Sequence, residues 1–277
     1  MLVDERVPSD RSGEMGLRYR PEMDQRADSA DGAVRTGRRP VRIRQVALCT
    51  DDIWREELHI VADLGVAAVH RDPPNLFEMR NSVFAVGDTF LEVLQPESDD
   101  APSARYLARR GGPGGYMLIM QVDDLAAVRA RVEALGIRIV HDAAPERVHG
   151  VDAAALHLHP GDTGGTIMSF DRMDPDEDWA WAGRSWRSHV HTDVVEAIVG
   201  VELASSDPSA LAERFARLVD RPVSHDRIIE LDDSRVSVVE GKPGEPDRLS
   251  AIEMRSSDPG RVGATHVVAG TEIRLVD

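Results

Sequence analysis

The sequence contains a single cysteine, a single lysine and no long hydrophobic run. Because Cys49 is the only cysteine in 277 residues, an internal disulfide and a cysteine-rich metal site are both excluded. Lys242 is the only candidate for a Schiff-base mechanism. No stretch approaches the ~18 consecutive apolar residues that a membrane-spanning helix needs. The N-terminus also lacks the apolar segment of a secretory signal. These features predict a cytoplasmic protein with no membrane partner.

Positive charge is also scarce. The chain has 33 lysines and arginines against 49 acidic residues, which gives a formal net charge of -16. This excess of negative charge repels a phosphate backbone, so no nucleic-acid partner is expected. Residues 1–40 are rich in charged and small residues and show no apolar periodicity, so they are predicted to form a disordered tail. Met15 or Met23 is an alternative start of the chain.

The most informative property of the sequence is an internal repeat. Four segments share a short apolar run that ends in an acidic residue: residues 45–52, 117–124, 200–207 and 251–258. An aspartate in that place can accept the unpaired N–H groups of a first helical turn, so each run is predicted to be a strand that ends at a helix N-cap. Apolar residues at helical spacing follow the first three segments.

Hairpin-like strand pairs follow these helices. The predicted hairpins cover residues 82–95, 153–171 and 227–240, and residues 223–225 are interpreted as the extra strand of the third unit. Each unit is therefore expected to read strand, helix, strand, strand, strand, with a truncated fourth unit. The fold class is α+β, with tandem βαβββ units in two paired halves, residues 41–171 and 197–277.

The segment between the two halves, residues 172–196, contains three of the four tryptophans: Trp179, Trp181 and Trp186. A free linker would not carry so much aromatic surface. We expect these side chains to pack against one half or to close the contact between the halves. A lid over a ligand is the alternative.

Paired βαβββ units resemble the vicinal oxygen chelate superfamily, also called the glyoxalase/bleomycin-resistance/dioxygenase fold. Residues 43–171 are most similar to methylmalonyl-CoA epimerase and its glyoxalase-like relatives. The stretches that carry this similarity are residues 90–96, the helix start after Val122, the pair His159-Pro160, and residues 165–170. The resemblance implies that the strands of two units curl into a cup, which usually holds a divalent metal that stabilises an enolate.

The four metal-ligand positions that the resemblance implies are filled here by Gln45, Glu92, Met117 and Ser169. Only one of them is a strong ligand for a hard or borderline cation, so neither a metal nor another cofactor is expected. The corresponding positions of the second half are Gly200, Ser237, Ala251 and Arg274. They provide no ligand, which argues against an extradiol dioxygenase and favours a structural role for the second half.

Glu92 is the best candidate for chemistry. If successive side chains of its strand point to opposite faces of the sheet, the carboxylate faces the cup. Desolvation there would make it a suitable general base. Gln45 would lie opposite and donate a hydrogen bond to a carbonyl oxygen. The alternative is a glutamate paired with an arginine in a polar cavity, without catalysis. The predicted substrate contacts are Tyr116, Met117, His157, His159 and Ser169.

Two of the histidines in that set have a second interpretation. His157 and His159 share one face of a strand, but the pair His159-Pro160 is also typical of a turn element. Three further histidines, His70, His141 and His225, recur at equivalent places after the predicted helices. Their recurrence predicts a shared structural role.

Two functions remain open at this point. The first is a metal-poor isomerase or lyase that acts on a small carbonyl compound or an acyl-CoA thioester, with Glu92 as the base. The second is a binding protein that sequesters a small molecule, as bleomycin-resistance proteins do. A purely structural subunit is a third possibility. For both the enzymatic and the binding function, the expected partner is a small molecule. A homodimer is also possible.

Overall fold

The computed structural model describes residues 40–71 and 77–277, and these belong to one compact unit. The predicted disordered tail lies outside the described residues, apart from Pro40. Among the described residues, no helix is both long and apolar enough to cross a membrane.

The first half forms one eight-stranded sheet. Its first unit contains β1 (Val41–Cys49), α1 (Ile53–Leu64), β2 (Ala68–His70), β3 (Met79–Val86) and β4 (Thr89–Pro96). After α2 (Pro102–Arg110), the second unit contains β5 (Gly114–Val122), α3 (Leu125–Ala134), β6 (Ile139–Val148), β7 (Val151–Leu158) and β8 (Ile167–Asp174). The strand order is β2-β3-β4-β1-β5-β8-β7-β6, and the two units meet where β1 runs antiparallel to β5. The predicted tandem βαβββ architecture is confirmed.

The acidic residues at the strand ends cap the helices, as the repeat predicted. The Asp52 carboxylate accepts the Arg55 N–H at 3.1 Å, and the Asp124 carboxylate accepts the Ala127 N–H at 2.8 Å. Asp207 does the same for the first turn of the helix in the second half. Each cap satisfies a donor that the first turn leaves unpaired, so the change from strand to helix is encoded locally.

The second half forms a six-stranded sheet with the order β10-β11-β9-β12-β14-β13. Its elements are β9 (Val195–Ser205), α4 (Pro208–Val219), β10 (Ile228–Glu230), β11 (Arg235–Glu240), β12 (Arg248–Ser256), β13 (Thr265–Val268) and β14 (Thr271–Val276). The truncated fourth unit thus keeps three strands and a single helical turn, residues 259–261, in place of its α-helix.

The predicted strand at residues 223–225 was wrong. Pro222 has no N–H to donate to a neighbouring strand, and the Ser224 N–H bonds the Ile228 carbonyl within a turn. His225 is fully exposed, whereas His70 and His141 lie in the first cup. The expected common role of the three histidines was therefore also wrong, because the third unit lacks the strand that would have carried its copy.

The main hydrophobic core lies on the face of the first sheet opposite the cup. Leu48, Leu91 and Leu118 of that sheet pack there with side chains of α1, α3 and α4 and with strands of the second sheet. The two sheets approach closely at Gly115, where an added Cβ would lie only 2.6 Å from the Cβ of Leu249. The second half therefore covers the back of the cup that the first half forms.

The segment between the halves folds back into the cup. Trp179 is 1% exposed and Trp186 is 5% exposed. Trp179 stacks on Phe90 with ring centroids 6.2 Å apart, while Trp186 meets the same ring edge-on at 5.0 Å. The expectation that the tryptophans pack against one half is confirmed, and the half is the first one.

Candidate functional site

The cup holds two neighbouring chambers. The inner chamber, about 470 Å³, is lined by Gln45, Asn81, Glu92, Asp171 and Trp181, among others. The outer chamber, about 340 Å³, is lined by Arg105, Tyr106, Arg109, Tyr116 and His159, among others. Both chambers are lined by Phe77, Met79, Met117, His141 and His157, so they are adjacent, and together they make up the pocket of this cup.

Glu92 faces the inner chamber because β4 alternates. Its neighbours Leu91 and Val93 point into the main core, which leaves the glutamate on the cup side. The side chain is 8% exposed. Its carboxylate accepts hydrogen bonds from Gln45 Nε2 and from Asn81 Nδ2, both at 2.8 Å. These two neutral amides orient the carboxylate without neutralising it.

The orientation of the Gln45 amide follows from its other neighbour. Trp179 Nε1 lies 2.6 Å from Gln45 Oε1. An indole N–H can only donate, so the atom that faces it must be the amide oxygen, and the amide nitrogen must face Glu92. That nitrogen carries two hydrogens, and only one of them is needed for the Glu92 carboxylate.

A second carboxylate, Asp171, lines the same chamber. Burial raises the pKa of Asp171 to about 7, although hydrogen bonds from Ser169 and Trp181 act in the opposite direction. Trp181 Nε1 donates to Asp171 Oδ2 at 2.6 Å, and the Ser169 hydroxyl donates to Oδ1. Asp171 was not among the residues predicted from the sequence. The signal was present, since Ser169 and Asp171 are two residues apart on a buried strand and share a face.

The structure brings most of the predicted contact residues to the pocket. Tyr116 and His159 line the outer chamber, while Met117 and His157 border both chambers. Burial raises the pKa of Tyr116 to about 12, so its phenol stays protonated. Burial, with a smaller effect of His141, lowers the pKa of His157 to about 4, so that ring is neutral near pH 7. Ser169 is fully buried behind Asp171 and lines neither chamber.

Helix α2, which lies beside the outer chamber, was also not predicted from the sequence. Pro102 at its first position and Gly111 after its last residue are typical helix boundaries and were available signals. The helix brings Arg105, Tyr106 and Arg109 to the pocket.

These contacts show whether the side chains at the four metal-ligand positions that the resemblance implied could bind a divalent cation. Gln45 already accepts the Trp179 N–H, Ser169 is buried and donates to Asp171, and Met117 supplies a thioether. Glu92 is the only strong donor for a divalent cation among them. In the stretches 40–71 and 77–277, no three His, Cys, Asp or Glu side chains are grouped closely enough to hold a metal ion. The residues present do not fit such a metal.

The equivalent face of the second sheet holds ion pairs. Arg274 forms a two-pronged contact with Glu202, at 2.8 and 3.2 Å, and also contacts Glu272. Arg235 pairs with Glu253 nearby at 2.8 Å. Arg274 stands at one of the four metal-ligand positions that the resemblance implied for the second half. Its guanidinium instead forms ion pairs on this face of the sheet.

Comparison with known families accounts for this architecture. A family model described as a glyoxalase-like domain matches residues 25–219, about 70% of the chain. The chain belongs to the glyoxalase-like domain family. This result and the paired βαβββ units confirm the resemblance to the vicinal oxygen chelate superfamily.

Among curated relatives, this glyoxalase-like protein is similar to mitochondrial methylmalonyl-CoA epimerase from Bos taurus. The two are 27% identical over 133 residues, which are 47% of this chain and 74% of the relative. It is also 28% identical over 87 residues to ethylmalonyl-CoA/methylmalonyl-CoA epimerase from Cereibacter sphaeroides, covering 31% of this chain and 63% of the relative. The similarity is thus confined to part of the chain.

Two solved structures share the architecture over most of the chain. A hypothetical protein from Staphylococcus aureus aligns with a TM-score of 0.65 at 11% identity and covers 85% of this chain and 98% of its own. A triple mutant of 4-hydroxymandelate synthase from Streptomyces coelicolor aligns with a TM-score of 0.62 at 15% identity, covering 79% of this chain and 72% of its own. At these identities the alignments show the fold alone.

The buried Asp171 predicts a pH dependence of stability. Its pKa is raised from 3.8 to about 7 on folding, so between these values the native state holds a proton that the unfolded state has lost. Stability should therefore fall as pH rises through this window, by roughly 4 kcal/mol in total for this one group. Asp171→Asn removes the titration and should gain stability relative to the wild type as pH rises.

Urea unfolding from about pH 4 to about pH 8 measures this difference. Asp152→Asn, at a half-exposed aspartate on β7, is the matched control and should run parallel to the wild type. If Asp171→Asn also runs parallel to the wild type across the window, Asp171 does not hold a proton in the native state.

Proposed function

We propose that this glyoxalase-like protein is an isomerase- or lyase-type enzyme that removes a proton from carbon next to a carbonyl group. Its substrate is a small carbonyl compound or an acyl-CoA thioester, and Glu92 is the general base. The observation that carries the proposal is the pair of carboxylates, Glu92 and Asp171, in one largely apolar chamber. Groups that accept and return protons at such a site are what this chemistry requires.

The two carboxylates are suited to different roles. Glu92 accepts hydrogen bonds from two amides, which hold its carboxylate in place at the chamber wall, where it can take a proton. Asp171, with its pKa near 7, is about half protonated at neutral pH and can donate a proton. The second N–H of Gln45 can bond the carbonyl oxygen as negative charge develops on it.

The relatives support an epimerase as one form of this activity. Two of them are named for the epimerisation of methylmalonyl-CoA or ethylmalonyl-CoA. Epimerisation removes a proton from one face of a carbon and returns one to the other face, so it is served by two proton-carrying groups. The inner chamber offers two such groups.

Incorporation of solvent deuterium tests the proposal. Methylmalonyl-CoA is incubated with the protein in D2O, and mass spectrometry follows deuterium at the carbon between the two carbonyl groups. The wild type should accelerate exchange over the protein-free rate. Glu133→Gln, at an exposed residue on α3 that lines neither chamber, should leave the rate unchanged. The absence of exchange with this and related carbonyl substrates would contradict the proposal.

A binding protein is the second candidate. The observation that favours it is the apolar border between the chambers, formed by Phe77, Met79 and Met117, which suits an apolar ligand without chemistry. Ligand binding seen as a shift in thermal unfolding, together with no deuterium exchange and no product, would favour this function over the enzyme.

A further inference from the structure

We propose that Arg105 and Arg109 form an anion-binding subsite in the outer chamber, which holds an oxyanion group of the ligand while its reactive carbon reaches the inner chamber. The orientation of the ligand rests on the proposed function. The binding of an anion at the two arginines can be tested independently of that function. The ligand class is a carbonyl compound with a phosphate or carboxylate group at the end remote from the chemistry.

The two arginines occupy one face of α2. They are four residues apart, so both project to the same side, and both line the outer chamber. Like charges at this spacing destabilise a helix, and α2 has no acidic residue within its bounds to offset them. Within the part of the chain that the structure describes, neither guanidinium forms a salt bridge with a carboxylate. Arg105 does donate one hydrogen bond to the Asp100 carbonyl oxygen, and the neighbouring Arg110 donates to the Pro113 carbonyl oxygen at 2.9 Å.

The outer chamber differs in charge from the rest of the protein. None of the described residues that line it is an aspartate or glutamate, although acidic residues outnumber basic ones by 49 to 33 in the chain. The carboxylates Glu92 and Asp171 lie in the inner chamber instead. The pocket is therefore cationic in the outer chamber and carries carboxylates in the inner chamber. A ligand with a single anionic end is expected to bind with that end in the outer chamber.

His159 adds a neutral donor to this end. Its Nδ1 accepts the Gly161 N–H at 3.0 Å, so a neutral ring carries its hydrogen on Nε2. A guanidinium presents several N–H groups in a plane that matches the oxygens of a phosphate or carboxylate, and two guanidinium groups can share one such anion. Because both arginines are exposed, their attraction to an anion should weaken with added salt.

Isothermal titration of the full chain with three thioesters tests the subsite. Methylmalonyl-CoA carries phosphates and a carboxylate, propionyl-CoA carries only the phosphates, and methylmalonyl-pantetheine carries only the carboxylate. The double variant Arg105→Ala/Arg109→Ala should weaken binding of methylmalonyl-CoA by about 10- to 100-fold. The double lysine variant should lose less, and Arg147→Ala, at an exposed arginine on β6, should bind as the wild type does.

The other two thioesters identify the anion. If the subsite holds a phosphate, the double alanine variant weakens propionyl-CoA and leaves methylmalonyl-pantetheine unchanged. If the double alanine variant instead weakens methylmalonyl-pantetheine and leaves propionyl-CoA unchanged, the proposed orientation is overturned, because the carboxylate is bonded to the reacting carbon itself. Equal affinities of the wild type and the double alanine variant for all three thioesters overturn the subsite, as does a wild type that binds none of them. Retained binding with no deuterium exchange would refute the proposed function alone.

Discussion

Replacing Glu92 with glutamine should lower the rate of deuterium exchange by about 100- to 10,000-fold, the contribution expected of a general base. The change removes the group that accepts the proton while keeping the shape and nearly the volume of the side chain. Binding of the thioester should change little, because no proton is transferred when the ligand binds. The rate is measured by mass spectrometry, and the affinity by titration.

The surrounding hydrogen bonds can accommodate this substitution. Gln45 still needs an acceptor at position 92, since Trp179 fixes its amide nitrogen towards that side chain. The new amide group then faces Asn81, whose own amide can rotate to present its oxygen. The variant should therefore fold, and a thermal unfolding curve checks this. An exchange rate close to that of the wild type would remove Glu92 from the role of base.

Asp171→Asn is the comparison that separates the two carboxylates. If Glu92 takes the proton from one epimer and Asp171 takes it from the other, Glu92→Gln should strongly slow exchange that starts from the first epimer. Asp171→Asn should instead retain exchange of the proton that Glu92 removes while slowing net inversion at that carbon. If Asp171→Asn alone abolishes exchange, the base is Asp171.

Trp179→Ala should lower the free energy of unfolding by about 3–5 kcal/mol, as expected for removal of a large buried aromatic side chain. The ring is 1% exposed, stacks on Phe90, and has the guanidinium of Arg44 at 5.6 Å from its centroid. Its loss opens a cavity in the filled part of the cup. It also leaves Gln45 Oε1 without the N–H that it accepts.

Two further substitutions separate packing from the hydrogen bond. Trp179→Phe keeps most of the ring but cannot donate to Gln45, so its loss of stability should be smaller than that of the alanine variant. Trp54→Ala, at a side chain that is 56% exposed on α1, should change stability by no more than about 0.5 kcal/mol. Urea unfolding measures all three, and a loss for Trp179→Ala no larger than that for Trp54→Ala would mean that the linker does not stabilise the cup.

The functional residues were only partly predictable. The inward position of Glu92 followed from strand alternation, and the structure places it in the inner chamber with Gln45 as its neighbour. Asp171 was not predicted because the resemblance implied a functional position at Ser169, which lies two residues earlier on the same face of β8. The arginines of α2 were missed because their helix lies between the two repeated units, where the repeat pattern carries no information.

The sequence by itself determined the order of strands and helices within each of the two units of the first half, because N-caps, alternation and helical spacing act over a few residues. It also predicted that the second half is reduced. Tertiary structure alone decided which side chains share the pocket. Trp179 reaches Gln45 across 134 residues of chain, and Asp171 meets Trp181 only because the linker turns back into the cup. Such contacts depend on strand register and on the packing of distant segments, which local patterns do not encode.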